Sequence, residues 1–316
     1  MNKKYLIPTV CIIGLLTSCP AFLPSYVLHS MILIGSFAVM ASSWNLLGGY
    51  VGLFSFGQVA FFGLGAYTAA FLSINGFLNF PLTLVAGGVI SGLFAGIIGY
   101  PFIKLRGGYF ALGTLGLAEI LYVYFYNEDS WLRASRGLSL PIISEDIQMF
   151  YYVMLILTLA CLLAIYFIIN SRLGAGFVAL RENEDAAQIC GIHINRYLLY
   201  AFVLSAFFPG IMGAFYAHYV VYIEAPDVFN VGISEAMLVM AIFGGLGTFL
   251  GPIVGTIFIY TLGEIVRSTW SVYGHLIVYS IVVMIVCLFF PGGVMGLLRG
   301  EVRVPWWLRK SKRKSL

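Results

Sequence analysis

The chain has 316 residues, of which 61% are apolar and 9% carry a charge, and its mean hydropathy is +0.97. Soluble globular domains carry about 25% charged residues, so this composition excludes a soluble domain and indicates a protein that crosses a membrane several times. The net charge of +4 does not favour nucleic-acid binding, because the basic residues stand at the ends of apolar runs. Four of the five cysteines lie inside apolar runs, so neither a disulfide framework nor a metal-ligand cluster is expected.

Long uncharged runs predict an all-α polytopic transmembrane bundle. No Asp, Glu, Lys or Arg lies between Lys4 and Lys104, and one pass takes about 20 apolar residues. Ten passes are predicted, with 233–244 too short to span unaided, near residues 5–23, 27–47, 57–75, 82–103, 109–126, 149–169, 197–220, 233–244, 250–266 and 273–290. The N-terminus imitates a signal peptide with "LTSC" at 16–19, but we expect it to be retained as the first helix, because the next pass follows at once.

The basic residues predict the orientation of the bundle. With both termini in the cytoplasm, three basic residues face outward, Arg133, Arg136 and Arg267. The other fourteen face inward: Lys3, Lys4, Lys104, Arg106, Arg172, Arg181, Arg196, Arg299, Arg303, Arg309, Lys310, Lys312, Arg313 and Lys314. This bias follows the positive-inside rule. The transmembrane domain then covers 1–298, and the basic tail 299–316, with its two tryptophans, is expected to contact lipid headgroups.

Two segments are crowded with glycine. The first contains Gly48, Gly49, Gly52, Gly57, Gly63 and Gly65, and the second contains Gly244, Gly245, Gly247 and Gly251. Small residues of this kind allow close packing of membrane helices. They also occur at helix breaks, whose released backbone groups are tolerated only inside protein or beside a water-filled cavity. Both interpretations remain open on the sequence alone.

Polar residues inside the apolar runs are the candidates for a solute path. Ser55, Gln58 and Thr114 either contact a passing solute or form hydrogen bonds between helices. Glu119 lies about 15 Å from the start of its helix, near the middle of a bilayer core of about 30 Å. A charge there costs on the order of 3 kcal/mol, so Glu119 is expected to be protonated, internally paired or beside a cavity. Glu264 stands three residues before Arg267, which predicts a local ion pair.

The stretch "RENEDAAQICGIHINR" at 181–196 concentrates charge in the predicted cytoplasmic loop 171–195. Arg181 and Asp185 have the i,i+4 spacing of a helical ion pair. Alternatively, Asn183 caps a second short helix, and Gly191 is suited to end it. Ala186 and Ala187 would leave a nearly bare helix face, which predicts a docking surface for another protein.

Several motifs in this chain resemble those of a known family. "DAAQICG" at 185–191 matches the spacing of the E-A-A-x-x-x-G loop by which permease subunits of bacterial ATP-binding-cassette importers engage their ATPase, with Asp185 in place of Glu. "SRLGAGFVALRENEDAAQICGI" at 171–192 resembles the corresponding loop of the high-affinity branched-chain amino acid (Leu/Ile/Val) uptake permeases. "SWNLLGGYVGLFSFGQVAFFGLGAYTAA" at 43–70, "KLRGGYFALGTLGLAEI" at 104–120, "MAIFGGLGTFLGPIVGT" at 240–256 and "FFPGGVMGLL" at 289–298 agree with that family as well.

The resemblance implies a permease of the bacterial inner membrane that pairs with a second similar permease, two ATPase subunits and an external solute-binding protein. It implies a coupling role for Arg181, Glu182, Asp185, Ala186, Ala187 and Gly191. The polar and glycine positions described above predict a translocation path beside Ser55, Gln58, Thr114, Glu119, Gly244 and Gly245. No G-x-x-x-x-G-K-[ST] motif occurs in the chain, so ATP would be used by the partner subunits, and no cofactor or metal is expected on this chain.

Two alternatives stay open at this point. The first is a urea or short-amide permease of the same class, and the second is a proton-coupled secondary transporter in which Glu119 carries the proton. A membrane enzyme is disfavoured, because the sequence contains no plausible catalytic set.

Overall fold

The computed structural model describes residues 23–129, 136–269 and 293–298, together with positions 20 and 284. Within these residues the chain is predominantly helical, as predicted. Seven described helical stretches are long and apolar enough to cross a membrane. The protein is therefore a polytopic helical membrane protein.

The eight passes predicted between residues 27 and 266 are all present as helices, with boundaries that differ by a few residues. The helices are α1 (Ser25–Asn45), α2 (Gln58–Ile74), α3 (Phe80–Phe102), α4 (Gly108–Asn127), α5 (Ile147–Ile169), α6 (Arg172–Glu182), α7 (Glu184–Ile189), α8 (Ile194–Val220), α9 (Ala225–Val228), α10 (Val231–Gly244), α11 (Leu250–Thr269) and α12 (Gly293–Leu298). A π-helical turn, Leu46–Val51, continues α1. The predicted passes 5–23 and 273–290 and the basic tail lie almost wholly outside the described residues.

The centre of the bundle is formed by α2, α3 and α8, which pack closely because glycines face one another. A Cβ on Gly65 would collide with the carbonyl oxygen of Gly210, and a Cβ on Gly87 would lie 3.0 Å from the same oxygen. Ser91 Oγ adds a hydrogen bond of 2.9 Å to the carbonyl of Phe61. The prediction that glycines of the first glycine-rich segment allow close packing of helices is therefore confirmed for Gly65.

A second layer surrounds α1. The hairpin of α10 and α11 packs on one side of it, with Ala41, Met240, Phe243 and Ile259 in a small apolar cluster. On another side α5 approaches so closely that a Cβ on Gly35 would lie 2.8 Å from Thr158 Oγ1. Helix α1 is thus enclosed by several neighbours.

The outside of the bundle is apolar along the spans. Ile97, Leu112 and Phe167 are 76%, 67% and 68% exposed. Such side chains are stable against lipid and unfavourable in water, as the composition predicted.

The charged residues divide between the two ends of the bundle. The end that carries α6 and α7, called here the α6–α7 end, includes Lys104, Arg106, Arg172, Arg181 and Arg196. The opposite end includes Arg136 and Arg267, and Arg267 pairs with Glu264 at 3.5 Å as predicted. An antiparallel pair of two-residue strands, β1 (Leu138–Ser139) and β2 (Tyr222–Ile223), also lies at the opposite end, and the sequence did not predict it.

Candidate coupling loop and the two broken helices

The charged loop folds as two short helices with a break at Asn183. Ser171 Oγ accepts a hydrogen bond from Leu173 N at 3.2 Å at the start of α6, and Asn183 Oδ1 accepts one from Ala186 N at 3.0 Å at the start of α7. Asn183 is extended (φ −163, ψ 112), so it ends one helix and caps the next. The two-helix alternative is therefore confirmed.

Gly191 ends α7 as the sequence predicted. Its φ of +85 is the left-handed conformation that glycine adopts readily, and its N–H donates to the carbonyl of Gln188 at 2.9 Å. Ile192 N donates to the carbonyl of Ala187 at 3.0 Å. These bonds satisfy the last carbonyls of the short helix.

The predicted ion pair between Arg181 and Asp185 is wrong. The break at Asn183 separates the two residues, and Arg181 Nη2 instead contacts Glu182 Oε1 at 2.8 Å. Arg181 Nη1 donates to the carbonyl oxygen of Gly49 at 2.7 Å, which places the guanidinium against the end of the first span. A second link to the membrane helices joins Arg106 and Glu184 at 2.8 Å.

The prediction that Ala186 and Ala187 form one exposed face is correct for Ala186 and wrong for Ala187. Ala187 is 4% exposed, because α7 packs this side onto the apolar core of the protein. Asp185 and Ala186 are exposed, and Ile189 is 88% exposed. The outward surface of α7 includes Asp185, Ala186, Gln188 and Ile189, and it combines a charge, a small residue, an amide and one large apolar side chain.

The first glycine-rich segment contains a helix break that enters the bundle. After the π-helical turn, residues 52–57 run without helical hydrogen bonding until α2 begins at Gln58. Phe56 N donates to Thr114 Oγ1 at 3.2 Å, Gly57 N lies 3.2 Å from Ser55 Oγ, and Trp44 Nε1 donates to the carbonyl of Ser55 at 2.7 Å. The hydroxyl groups of Ser55 and Thr114 thus accept hydrogen bonds from backbone amides of the break, and the carbonyl of Ser55 has a partner as well.

Of the three polar candidates Ser55, Gln58 and Thr114, Gln58 has a side-chain atom that forms no hydrogen bond among the described residues. Its Nε2 donates to Ser205 Oγ at 3.2 Å. Its Oε1 is buried and has no hydrogen-bond partner among the described residues. The next amide, Val59 N, donates to Ser234 Oγ of α10 at 2.8 Å.

The second break is the loop 245–249 between α10 and α11. Gly244 packs against the backbone of Gly251, where a Cβ would collide with the carbonyl oxygen. Gly245 has a φ of +124, and it lies so close to α12 that a Cβ on Gly293 would approach its Cα to 2.6 Å. Gly244 is therefore required for close backbone approach, and Gly245 is suited to its backbone conformation.

The two breaks contact each other through Asn45. Asn45 Nδ2 donates to the carbonyl of Thr248 at 2.9 Å, and Asn45 Oδ1 accepts from Gly247 N at 3.0 Å. A Cβ on Gly49 would lie 2.5 Å from Gly247 N. One amide side chain thus holds the end of α1 to the tip of the α10–α11 hairpin.

Glu119 lies on an exposed face of α4, away from the centre of the chain. Its neighbours on that face include Tyr109, Leu112 and Ile120, which are 76%, 67% and 66% exposed. The carboxylate is not drawn into the polar contacts around Thr114 on the buried face of the same helix. Among the described residues, no group of three or more His, Cys, Asp or Glu side chains could hold a metal ion.

Three residues with important contacts were not singled out from the sequence. Asn45 and Ser234 are polar residues in apolar spans, and that polarity was the available signal. Ile189 is an apolar residue in a charged loop, but whether it faces inward or outward depends on the break at Asn183.

Comparison with known proteins shows which family this chain is similar to. The family model for the permease component of branched-chain amino acid transport systems matches residues 26–290. The high-affinity branched-chain amino acid transport system permease protein LivM of Escherichia coli strain K12 is 26% identical over 298 residues, covering 85% of this chain and 69% of that protein. LivM of Salmonella typhimurium strain LT2 is 25% identical over the same shares. LivH of Escherichia coli strain K12 is 22% identical over 289 residues, covering 83% of this chain and 91% of LivH. No solved structure matches the chain.

Ser234→Ala tests whether the structure around the first break depends on a hydroxyl group that accepts a hydrogen bond from a backbone amide. The substitution leaves the buried Val59 N–H without its partner, and we expect it to lower the free energy of unfolding by about 1–3 kcal/mol. Equilibrium unfolding in mixed micelles measures the change. Ser30→Ala is the matched control, because that exposed hydroxyl only donates to a carbonyl of its own helix. An equal loss in both variants would contradict this role for Ser234.

Proposed function

The chain belongs to the family of branched-chain amino acid transport permeases, and on that premise we propose that it is a permease subunit of an ATP-binding-cassette importer. It carries branched-chain or related amino acids across the bacterial inner membrane. The observation that carries the proposal is the family match over residues 26–290, joined to a pair of short capped helices projecting from one end of the bundle. The chain itself is a transporter subunit, and ATP is used by its partners.

The partners are a second similar permease, two cytoplasmic ATPase subunits and an external solute-binding protein. Similarity to both LivM and LivH, two permease proteins of one bacterial strain, supports a complex with two permease chains. The concentration of basic residues at the α6–α7 end supports a cytoplasmic position for that end and for both termini.

The ATPase docks on the outward surface of α7. Asp185, Ala186 and Ile189 are exposed there, while Ala187 fixes the opposite side of the helix to the bundle. An apolar side chain that is 88% exposed outside the membrane spans is unfavourable in water and is suited to a protein partner. Arg181, Glu182 and Gly191 shape the helices that present this surface.

Translocation proceeds by alternating access, in which ATP binding and hydrolysis move the α6–α7 pair and the broken segments change their packing. The path runs beside Ser55, Gln58, Thr114, Gly244 and Gly245 at the two breaks. The unpartnered Oε1 of Gln58 supports this placement, because a buried acceptor without a donor gains a hydrogen bond when a polar solute passes.

Glu119 lies on the path or on the contact with the second permease. It is exposed on α4, roughly 16 Å along that helix from Gly108. A carboxylate at this depth costs on the order of 3 kcal/mol against lipid, so its face is expected to be covered by protein or water.

Ile189→Asp tests the docking surface and the proposed function together. We expect the amount of ATPase that co-purifies from cells expressing the neighbouring genes to fall about tenfold or more, as for loss of a central apolar contact. Ile142→Asp is the matched control, because Ile142 is 64% exposed at the opposite end of the bundle. Wild-type protein that captures no ATPase would contradict the importer assignment, and an unaffected Ile189→Asp would contradict the docking surface.

Glu119→Gln tests the place of Glu119 on the path, and uptake by the wild-type protein in the presence of an uncoupler separates the importer from a proton-coupled transporter. We expect uptake to fall about tenfold, since a charge that is costly at this depth is kept only where it is used, while ATPase association persists. Wild-type uptake should require the ATPase and the external protein and should survive an uncoupler while ATP is maintained. Glu145→Gln, in an exposed loop, is the control. Uptake without any ATPase that collapses with the uncoupler would identify a secondary transporter, and unchanged uptake by Glu119→Gln would remove Glu119 from the path.

A further inference from the structure

The first span ends in carbonyl groups that need partners. Helix α1 continues through the π-helical turn to Val51, where Gly52 turns the chain with a φ of +91. The last carbonyls of a helix lack partners within the helix and form the negative end of its dipole. Leu47 O accepts from both Gly52 N and Leu53 N at 3.0 Å, whereas Gly49 O accepts from Arg181 Nη1 at 2.7 Å. The end of the first span is thus capped by a cation from another element, the short helix α6.

The same guanidinium also lies against the second break. A Cβ on Gly247 would come within 2.6 Å of Arg181 Nη1, so a larger residue there would displace the guanidinium. A Cβ on Gly52 would lie 3.3 Å from Arg181 Cγ, which shows that the aliphatic part of the side chain follows the first break. Glu182 Oε1 accepts from Nη2 at 2.8 Å, so a second group contacts the guanidinium beside the carbonyl of Gly49.

Asn45 makes the two breaks one unit. Its amide bonds Thr248 O and Gly247 N at 2.9 and 3.0 Å, so the loop that contacts Arg181 is itself tied to α1. A displacement of Arg181 therefore acts on both breaks at once. We call Arg181, Asn45, Gly49 and Gly247 the α6 brace.

We propose that Arg181 is a positioning residue, which carries movement of the α6–α7 pair to both broken segments through the α6 brace. This inference rests on the proposed function for the source of the movement, and on the contacts above for its route. The side chain is 37% exposed, so solvent weakens its charge interactions, and the role depends mainly on the planar, several-donor geometry of the guanidinium. The Arg181→Lys variant is accordingly expected to keep only part of the function that the Arg181→Gln variant loses.

Hydrogen exchange on the purified full-length chain in lipid nanodiscs tests the brace without any ATPase. In Arg181→Gln, we expect amides of 46–53 and 245–251 to exchange about tenfold faster, the size expected for loss of a hydrogen bond to a charged group. Exchange within α3 and α8 should stay unchanged. Arg172→Gln is the matched control, because Arg172 is an exposed arginine of the same short helix. Unchanged exchange at both breaks, or equal changes in the control, would overturn the proposal.

A glycine pair supplies a second variant that keeps Arg181 in the chain. Gly247 and Gly76 have φ values of +69 and +67, but a Cβ on Gly247 meets two members of the brace, Arg181 Nη1 at 2.6 Å and the carbonyl oxygen of Gly49 at 3.1 Å, whereas a Cβ on Gly76 meets nothing within 4 Å. Both alanine variants carry the strain of the left-handed conformation, and only Gly247→Ala displaces the guanidinium. We expect Gly247→Ala to reproduce the faster exchange of residues 46–53, and Gly76→Ala to leave them unchanged. The same pattern in both variants would overturn the proposal.

The assembled importer then reports whether the brace carries motion. With the ATPase and the external protein present, we expect the solute transported per ATP hydrolysed to fall about tenfold in Arg181→Gln, as for one lost charged hydrogen bond. A wild-type ratio in Arg181→Gln would overturn the transmission role. If no ATPase binds even the wild-type chain, the proposed function fails, and the exchange experiments still decide whether Arg181 fixes the two breaks.

Discussion

Two stretches of backbone leave the helical conformation within this bundle, and lipid offers no partner for the polar groups that they release. Most of the side chains that serve them come from distant parts of the chain: Thr114 from α4, Ser234 from α10, Asn45 from α1 and Arg181 from α6. Trp44 lies nearer, 11 positions before its partner Ser55. The bundle therefore has to be assembled as a whole for either break to be stable. This constraint explains why polar residues stand at these positions in an otherwise apolar sequence.

The same constraint links the end of the bundle to its interior. The α6–α7 pair has an inward side, where Ala187 and Phe177 are buried and Arg181 reaches the end of the first span. Its outward side, at Ile189, is left uncovered by the described residues. Under the proposed function, a partner that moves the outward side acts on the inward side through this short pair of helices. A permease that takes its energy from another subunit requires such a connection.

The sequence predicted the helices between residues 27 and 266 well, because an uncharged run of sufficient length has few alternatives to a transmembrane helix. It also predicted the end of α7 at Gly191, where one residue type is strongly favoured. It failed for Arg181 and Ala187, since the direction of each side chain depends on the break at Asn183 and on packing against distant helices. Asn45 was missed for the same reason, because its partners lie about 200 positions along the chain. Both interpretations of the glycine-rich segments are correct for different residues. Gly65 allows close packing of helices, and Gly52 and Gly247 lie in the breaks.

The side of the membrane that α7 faces is the point on which the account depends most directly. Cys190 is exposed at the end of α7, and a variant with Cys11, Cys19, Cys161 and Cys287 replaced by serine leaves it as the single thiol. A maleimide that cannot cross membranes should label this variant in inside-out vesicles and leave it unlabelled in intact spheroplasts. Labelling in intact spheroplasts alone would place the loop on the outer side, away from ATP, and would contradict the account.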